Sequence, residues 1–296
     1  MVARLIAGTF SPSVLLDVAR STGRLADAGL EVVEAPVASS PGQFRSLVDG
    51  EIDVAFTSPD NVLAYRFSPR NPLGGVLDVG IVNGIDRGLG LALYGRPGFD
   101  GAERIRGARV GVDVPVSGFA LAMYALTETL GVPRGGYELL ALGSTPRRLT
   151  ALLAGECDVT MLNAGNELLA EEAGCVRLAS VADVCAPYLG TVTAISGPGP
   201  LAEARALGDA LAATIDDVRS GSVDDVAVTQ AAARLDVSPA VARRYVERLR
   251  DDREGLLPGA AVDPEALETV AALRRRFLPE VVDGVDVLAR PLDAVL

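Results

Sequence analysis

The twelve residues from Gly50 to Asn61 read GEIDVAFTSPDN, and those from Gly155 to Asn166, 105 positions further on, read GECDVTMLNAGN. Gly, Glu, Asp, Val and the closing Asn keep one register in both. A phrase written twice at this spacing constrains the chain to two units of similar construction.

The surroundings repeat too. RLIAG (4–8) is a short apolar run closed by Gly, and GTFSP leads into SVLLDVARSTGRL, whose apolar residues recur at helical spacing. LEVVEA (30–35) reads as a second strand, followed by the polar loop SSPGQ and an amphipathic helix through FRSLVDG. DVAFTS alternates into a third strand and PDNVLAYRF opens a helix. From Arg109 the series runs again: RVGVDV strand, SGFALAMYALTETLG helix, YELLALG strand, TPRRLTALLAG helix, DVTMLNA strand, GNELLAEEAG helix. Arg4 and Arg109 also lie 105 apart, with small compensating shifts between. A βαβαβα order implies a parallel sheet with right-handed crossovers. The expected fold is therefore α/β, two similar lobes with parallel-rich sheets.

DRGLGLALYGRP (86–97) reads as a strand leaving the first lobe and PYLGTVTAIS (187–196) as a strand returning, a two-strand hinge. The expected division is 1–92 plus 193–296 for lobe 1 and 93–192 for lobe 2. The helical C-terminal region, broken at GSVDD, DVSPA, LLPGAAVDP and LPEVVDG, is expected to pack on lobe 1.

Composition excludes several chemistries. All 27 basic residues are Arg and there is no His, so the usual neutral-pH base, the commonest metal ligand, a Schiff-base lysine and a P-loop lysine are missing. No cofactor motif or metal site is expected. Cys157, Cys175 and Cys185 are odd in number and lack CxxC spacing, which suggests ordinary thiols, with Cys157 a small buried apolar residue. A net charge of −12 disfavours nucleic acid and anionic membranes. AVTQAAARLDVSPAVARRYVERLR (227–250) has the cadence of a helix-turn-helix, but that charge is adverse. MVARLIAGTF enters a strand without a basic segment and long apolar run, and no stretch is long enough to span a membrane, so the chain reads as cytoplasmic, or periplasmic or extracellular if a leader has been lost.

SPSVLLDVARSTGRLADAGLEVVEAPVASSPGQFRSLVDGEIDVAFTSPDNVLAY resembles the first lobe of type II periplasmic-binding-protein folds, and GARVGVDVPVSGFALAMYALTETLGV resembles the second-lobe entry. The similarity is to the substrate-binding proteins of ABC transporters for sulfonates, taurine, nitrate and pyrimidine precursors, with their thiamine-biosynthesis relatives. It implies a small-molecule ligand clamped between lobes and an ABC permease as partner if the chain is exported. The His and Cys cluster of the thiamine-pathway enzymes has no counterpart here.

Open α/β sheets bind ligands beyond the carboxyl ends of their strands. This directs attention to Thr9, Phe10 and Ser11, to Ser39 and Ser40, and to Thr57, Ser58, Asp60 and Asn61. In the second lobe it selects Ser117, Gly118 and Phe119, then Asn163 and Asn166, with Tyr188 on the returning strand. Each has a plainer reading: Ser11 or Ser13 as a helix cap, Asp60 as a carboxylate complementing a helix dipole, Phe10 as a loop cover. Glu51, Asp53, Glu156 and Asp158 precede their strands at the amino end and read as structural. The site is expected to take a small organic ligand, anionic or aromatic and heterocyclic. The alternatives are a cofactor-independent lyase, decarboxylase or desulfinase using Asp60 or Tyr188, and a sensor or regulatory module.

Overall fold

The computed structural model describes residues 2–197 and 199–279. The first series is β1 (Ala3–Thr9), α1 (Val14–Ser21), α2 (Arg24–Asp27), β2 (Leu30–Pro36), α3 (Ser40–Val48), β3 (Val54–Thr57), α4 (Pro59–Phe67) and β4 (Val79–Asp86). The second is β5 (Ala92–Gly95), β6 (Arg109–Val112), α5 (Gly118–Thr129), β7 (Glu138–Ala141), α6 (Thr145–Leu153), β8 (Val159–Leu162), α7 (Asn166–Glu172), β9 (Val176–Ser180) and α8 (Val181–Val184). β10 (Thr191–Ser196) returns to the first series, and α9 (Leu201–Ser220), α10 (Asp224–Leu235), α11 (Pro239–Arg250) and α12 (Pro264–Phe277) follow.

The repeated phrase does the same physical work in both places. Gly50 and Gly155 take left-handed φ values of 73° and 70°, ending α3 and α6. The next amide then folds back on the helix, Glu51 N to Ser46 O at 2.8 Å and Glu156 N to Ala151 O at 2.9 Å. A residue with a Cβ pays steric strain in that conformation, which is why Gly opens the phrase. Two residues on, each Asp ties the new strand to its neighbour. Asp53 Oδ2 accepts from Ile6 N at 2.7 Å, and Asp158 Oδ2 accepts from Arg109 N at 3.0 Å. The structural role read for these acidic residues is met.

The same bonds correct the strand alignment. Ile6, not Arg4, is the counterpart of Arg109: Ala7 and Gly8 of β1 pair with Val54 and Ala55, as Val110 and Gly111 of β6 pair with Val159 and Thr160. The first strands are thus offset two residues less than the phrases, because the intervening loops differ in length.

One sheet has the order β2-β1-β3-β10-β4 and the other β7-β6-β8-β5-β9. β1, β2 and β3 are parallel, as are β6, β7 and β8, whereas β10 and β5 run antiparallel within their sheets. In each sheet the fourth strand arrives from the other lobe, so the α/β two-lobe architecture holds with a doubled crossing.

DRGLGLALYGRP is not one strand. Asp86 ends β4, Gly88, Leu89 and Gly90 have φ values of 111°, 49° and 76°, and only then does β5 begin. Three successive left-handed residues cannot continue a pleat. The crossing segments nevertheless meet, with Gly190 N donating to Asp86 O at 2.8 Å.

The C-terminal helices pack on the first lobe and reach beyond it. α9 buries Leu207, Leu211, Ile215 and Val218 in the core that also holds Leu5, Leu16 and Val18. α12 lies over α4 and α5 together. This explains why α5, GFALAMYALTET, has no polar stripe: residues from Ala120 to Thr127 are all buried, with Leu267, Val270 and Ala271 of α12 in the same core. Each leucine fully removed from water there contributes about 2 kcal/mol. α12 ends at Phe277, where the break at LPEVVDG was expected, and everything beyond 279 lies outside the described residues. Among the described residues no helix is long and apolar enough to cross a membrane.

Candidate functional site

A cavity of about 160 Å³ lies between the two sheets. Thr9, Phe10 and Ser11 at the end of β1, Ser39 and Ser40 at the start of α3, and Thr57, Ser58 and Asn61 at the β3–α4 junction line one side. Ser117, Gly118 and Phe119 at the start of α5, with Asn163 after β8, line the other. Parallel strands send their carboxyl ends, and hence the following helix starts, to one edge of each sheet, and the two edges face each other.

The cap readings hold for the same serines. The hydroxyls of Ser13, Ser39, Ser58 and Ser117 accept from Leu16 N, Gly42 N, Asp60 N and Ala120 N at 3.2–3.3 Å. Ser13 rather than Ser11 starts α1. A serine cap leaves other first-turn amides without a helical partner and still borders the cavity.

Three expected residues do not line it. Asp60 is fully buried and turned to Arg274 of α12, whose Nε and Nη2 donate to its two oxygens at 2.5 Å each. Asn166 Nδ2 donates to Asn163 O at 3.0 Å, closing the helix start instead of facing inward. Tyr188 is 1% exposed, and burial raises its phenol well above the ordinary value, so neither it nor Asp60 is placed to act as acid or base in the cavity.

Several liners were not anticipated. Asp86 ends β4 and Asp113 follows β6, both at strand carboxyl ends where the strand-end rule could have found them. Burial pushes the Asp86 carboxyl up to about 6, although Thr191 and the Gly88 amide hydrogen-bond to it. Removal from water also raises Asp113, opposed by the Arg148 guanidinium and by the hydroxyl of Ser117, which donates to it. Arg148, in α6, is 1% exposed, and loss of solvation lowers its pKa. Tyr245 and Leu249 of α11 and Leu256 close the floor, and no local signal in the sequence marked them.

The helix-turn-helix cadence belongs to a helix that serves the cavity. α11 turns Val241, Tyr245, Val246 and Leu249 inward, and Arg248 pairs with Glu254 at 2.6 Å. Arg243 and Arg244 on its other face stay exposed, and Arg244 pairs with Glu171.

The lobes touch beside the cavity. A Cβ on Gly118 would fall 2.6 Å from Asp60 Cβ and 2.8 Å from Ser58 Oγ, so only glycine permits this approach. Arg274 Nη2 also donates to Val116 O at 3.1 Å, joining α4 to the loop before α5. The three cysteines are buried and free, and burial pushes Cys157 and Cys185 up to about 11. Among the described residues no group of His, Cys, Asp and Glu is arranged to hold a metal.

Neither a family model nor a curated protein sequence matches the chain. Solved structures do. The alkanesulfonate-binding protein of Xanthomonas axonopodis pv. citri bound to MOPS superposes with a TM-score of 0.72 at 15% identity, over 94% of this chain and 93% of that one. The periplasmic aliphatic sulphonate binding protein of Escherichia coli gives 0.69 at 16%, over 95% and 90%. The periplasmic nitrate-binding protein of Synechocystis PCC 6803 gives 0.66 at 11%, over 81% and 69%. The chain therefore has the type II periplasmic-binding-protein fold.

Proposed function

We propose that the chain binds one small organic ligand by closing two lobes over it, as a substrate-binding protein does, without a chemical step. The observation that carries this reading is the double origin of the cavity wall: Thr9–Leu15 and Ser58 from one lobe face Ser117–Phe119 and Asn163 from the other. A site divided in this way is completed only on closure, which couples occupancy to shape. The moving bodies are the first sheet with its helices, through Asp86 and again from Thr191, and the second sheet with its helices, from Ala92 to Val184, in place of the expected bounds at 92/93 and 192/193, hinged at the crossings near Asp86 and Gly190.

The wall favours a ligand with a compact aromatic or heterocyclic body. Phe10, Phe56, Phe119 and Tyr245 offer ring faces, while Thr57, Asn61, Ser117 and Asn163 offer directional hydrogen bonds. Similarity of fold to sulfonate- and nitrate-binding proteins supports a binding role, and an ABC permease is the partner such a protein would serve if exported.

The test is mass spectrometry of small molecules released from the purified protein, followed by a thermal-shift screen of aromatic acids, amines, pyrimidines and sulfonates. A true ligand at a hundred times its Kd stabilises by about 2.7 kcal/mol. Phe119→Ala and Asn61→Ala should weaken it with the apo melting temperature nearly kept. No released molecule and no stabilising compound would overturn the reading.

A further inference from the structure

The charge inside the cleft is set by few side chains, because the chain has neither Lys nor His. Among the residues lining the cavity, Asp86, Asp113 and Arg148 carry formal charge, two carboxylates against one guanidinium. Arg148 is not offered to a ligand. Its Nη1 donates to Gly143 O at 2.6 Å, its Nη2 to Thr145 Oγ1 at 3.0 Å and Met161 O at 3.2 Å, and its Nε to Met161 O at 3.3 Å. Those bonds anchor the guanidinium in the wall.

Helix starts are where an anionic ligand would settle. Here four of them already carry a carboxylate of the chain. At α1, Glu34 Oε1 accepts from Ser13 N at 3.0 Å and from Thr9 Oγ1 at 2.6 Å, engaging two groups of the loop between β1 and α1. At α4 stands Asp60, paired with Arg274. At α5, Asp113 takes the Ser117 hydroxyl, and at α7, Glu167 Oε2 accepts from Gly165 N at 2.8 Å. α3 and α6 begin without an acidic residue, but α6 is the helix whose Arg148 faces the charge of Asp113.

Asp86 is the complementary feature. It is 1% exposed, lines the cavity beside the hinge, and is held by Gly88 N at 2.7 Å. Both Asp86 and Asp113 are displaced upward from ordinary carboxylate behaviour by loss of water, so the fold leaves their negative charge incompletely compensated. Phe10, Phe56, Phe119 and Tyr245 also line the cavity, and aromatic rings attract a cation.

We propose that the ligand of this cleft is an organic monocation, a protonated amine on a compact aromatic or branched apolar body, whose charge is matched by the carboxylates of Asp86 and Asp113. This rests on the reading that the cleft binds a ligand. It separates the chain from the sulfonate- and nitrate-binding proteins that share its fold.

The experiment compares three probes of matched body on the full chain at pH 7.5, benzylamine, benzyl alcohol and benzenesulfonate, by thermal shift and titration calorimetry. Benzylamine should raise the melting temperature in a dose-dependent way and exceed the alcohol, and benzenesulfonate should have no effect. Asp86→Asn and Asp113→Asn should each weaken benzylamine binding about tenfold, as expected for loss of one charge-assisted contact. The wild-type comparison stands even if a variant folds poorly. Stabilisation by benzenesulfonate alone, or by the alcohol as strongly as by the amine, overturns the cation and leaves cleft binding in place. No response to any probe also overturns the cation, and the wider screen then decides whether cleft binding falls with it.

Discussion

Asp60 in α4 and Arg274 in α12 form a two-point ion pair with side chains 0% and 4% exposed, and the same guanidinium reaches Val116 O in the other lobe. A helix near the described C-terminus thus fastens both lobes through one buried charge. Removing one partner of such a pair strands the other charge away from water, which costs about 3–5 kcal/mol. Arg274→Ala should therefore lower the unfolding free energy by that amount in urea titration, whereas the double variant Asp60→Leu with Arg274→Met should recover most of it. Equal losses in the single and double variants would show that packing of α12, not the charge pair, supplies the stability.

Gly118 reports on closure more directly. Its missing Cβ leaves room for Asp60 and Ser58 across the cleft, so Gly118→Ala should hold the lobes apart while changing the isolated lobes little. The expected result is a larger radius of gyration in small-angle scattering and ligand affinity reduced at least about tenfold, the size of a steric penalty of ~1.4 kcal/mol. An unchanged radius with unchanged affinity would mean that the lobes do not meet at this point in solution.

The duplicated aspartates offer an internal control. Asp53 and Asp158 each accept from a first-strand amide, but Asp158 also pairs with Arg96 at 3.1 Å and Arg109 at 3.0 Å, and the Arg109 hydrogen bond leads the causes that lower its carboxyl to about 2. Because its folded value lies below the unfolded 3.8, its contribution is present above that pH and lost as acid approaches 2. The arginines are partly exposed, so solvent screening holds the effect near 1 kcal/mol. Asp158→Asn should flatten the acid limb of a stability–pH curve more than Asp53→Asn does; identical curves would deny the arginines a role.

The repeat was legible because it is made of local rules. A left-handed Gly ending a helix and an Asp capturing a strand amide each act within the residues of GEIDV and GECDV, so sequence alone exposes them. Strand-end logic likewise brought Thr9, Ser58, Ser117 and Asn163 to one cavity. What escaped depends on distant chain. Asp60 turned away from the cavity because Arg274 lies 214 residues downstream, and Tyr245 and Leu249 entered it because α11 folds back across the cleft. In the crossing segment the strand begins only at Ala92, because hydrophobicity in LGLALY does not reveal the three left-handed residues before it, which backbone geometry alone decides.

Two buried carboxylates tie stability to pH in the sense opposite to Asp158. Burial lifts Asp86 from 3.8 to about 6 and Glu167 from 4.5 to about 8, the latter despite the charge of Arg248 nearby. The folded protein then binds more protons than the unfolded chain between these values, so stability falls as pH rises through about 4 to 6 for Asp86 and about 4.5 to 8 for Glu167. For Asp86 alone the penalty at high pH is about 3 kcal/mol, from ~1.4 kcal/mol per pH unit of displacement. Glu167 Oε1 has no hydrogen-bond partner, so Glu167→Gln removes a buried charge without removing a bond at that oxygen. Melting curves from pH 5 to pH 9 should slope downward for the wild type, less steeply for Asp86→Asn and least for Glu167→Gln. A wild-type slope that is flat, or unchanged in both variants, would mean that water reaches these carboxylates and that the hinge beside them is open in solution.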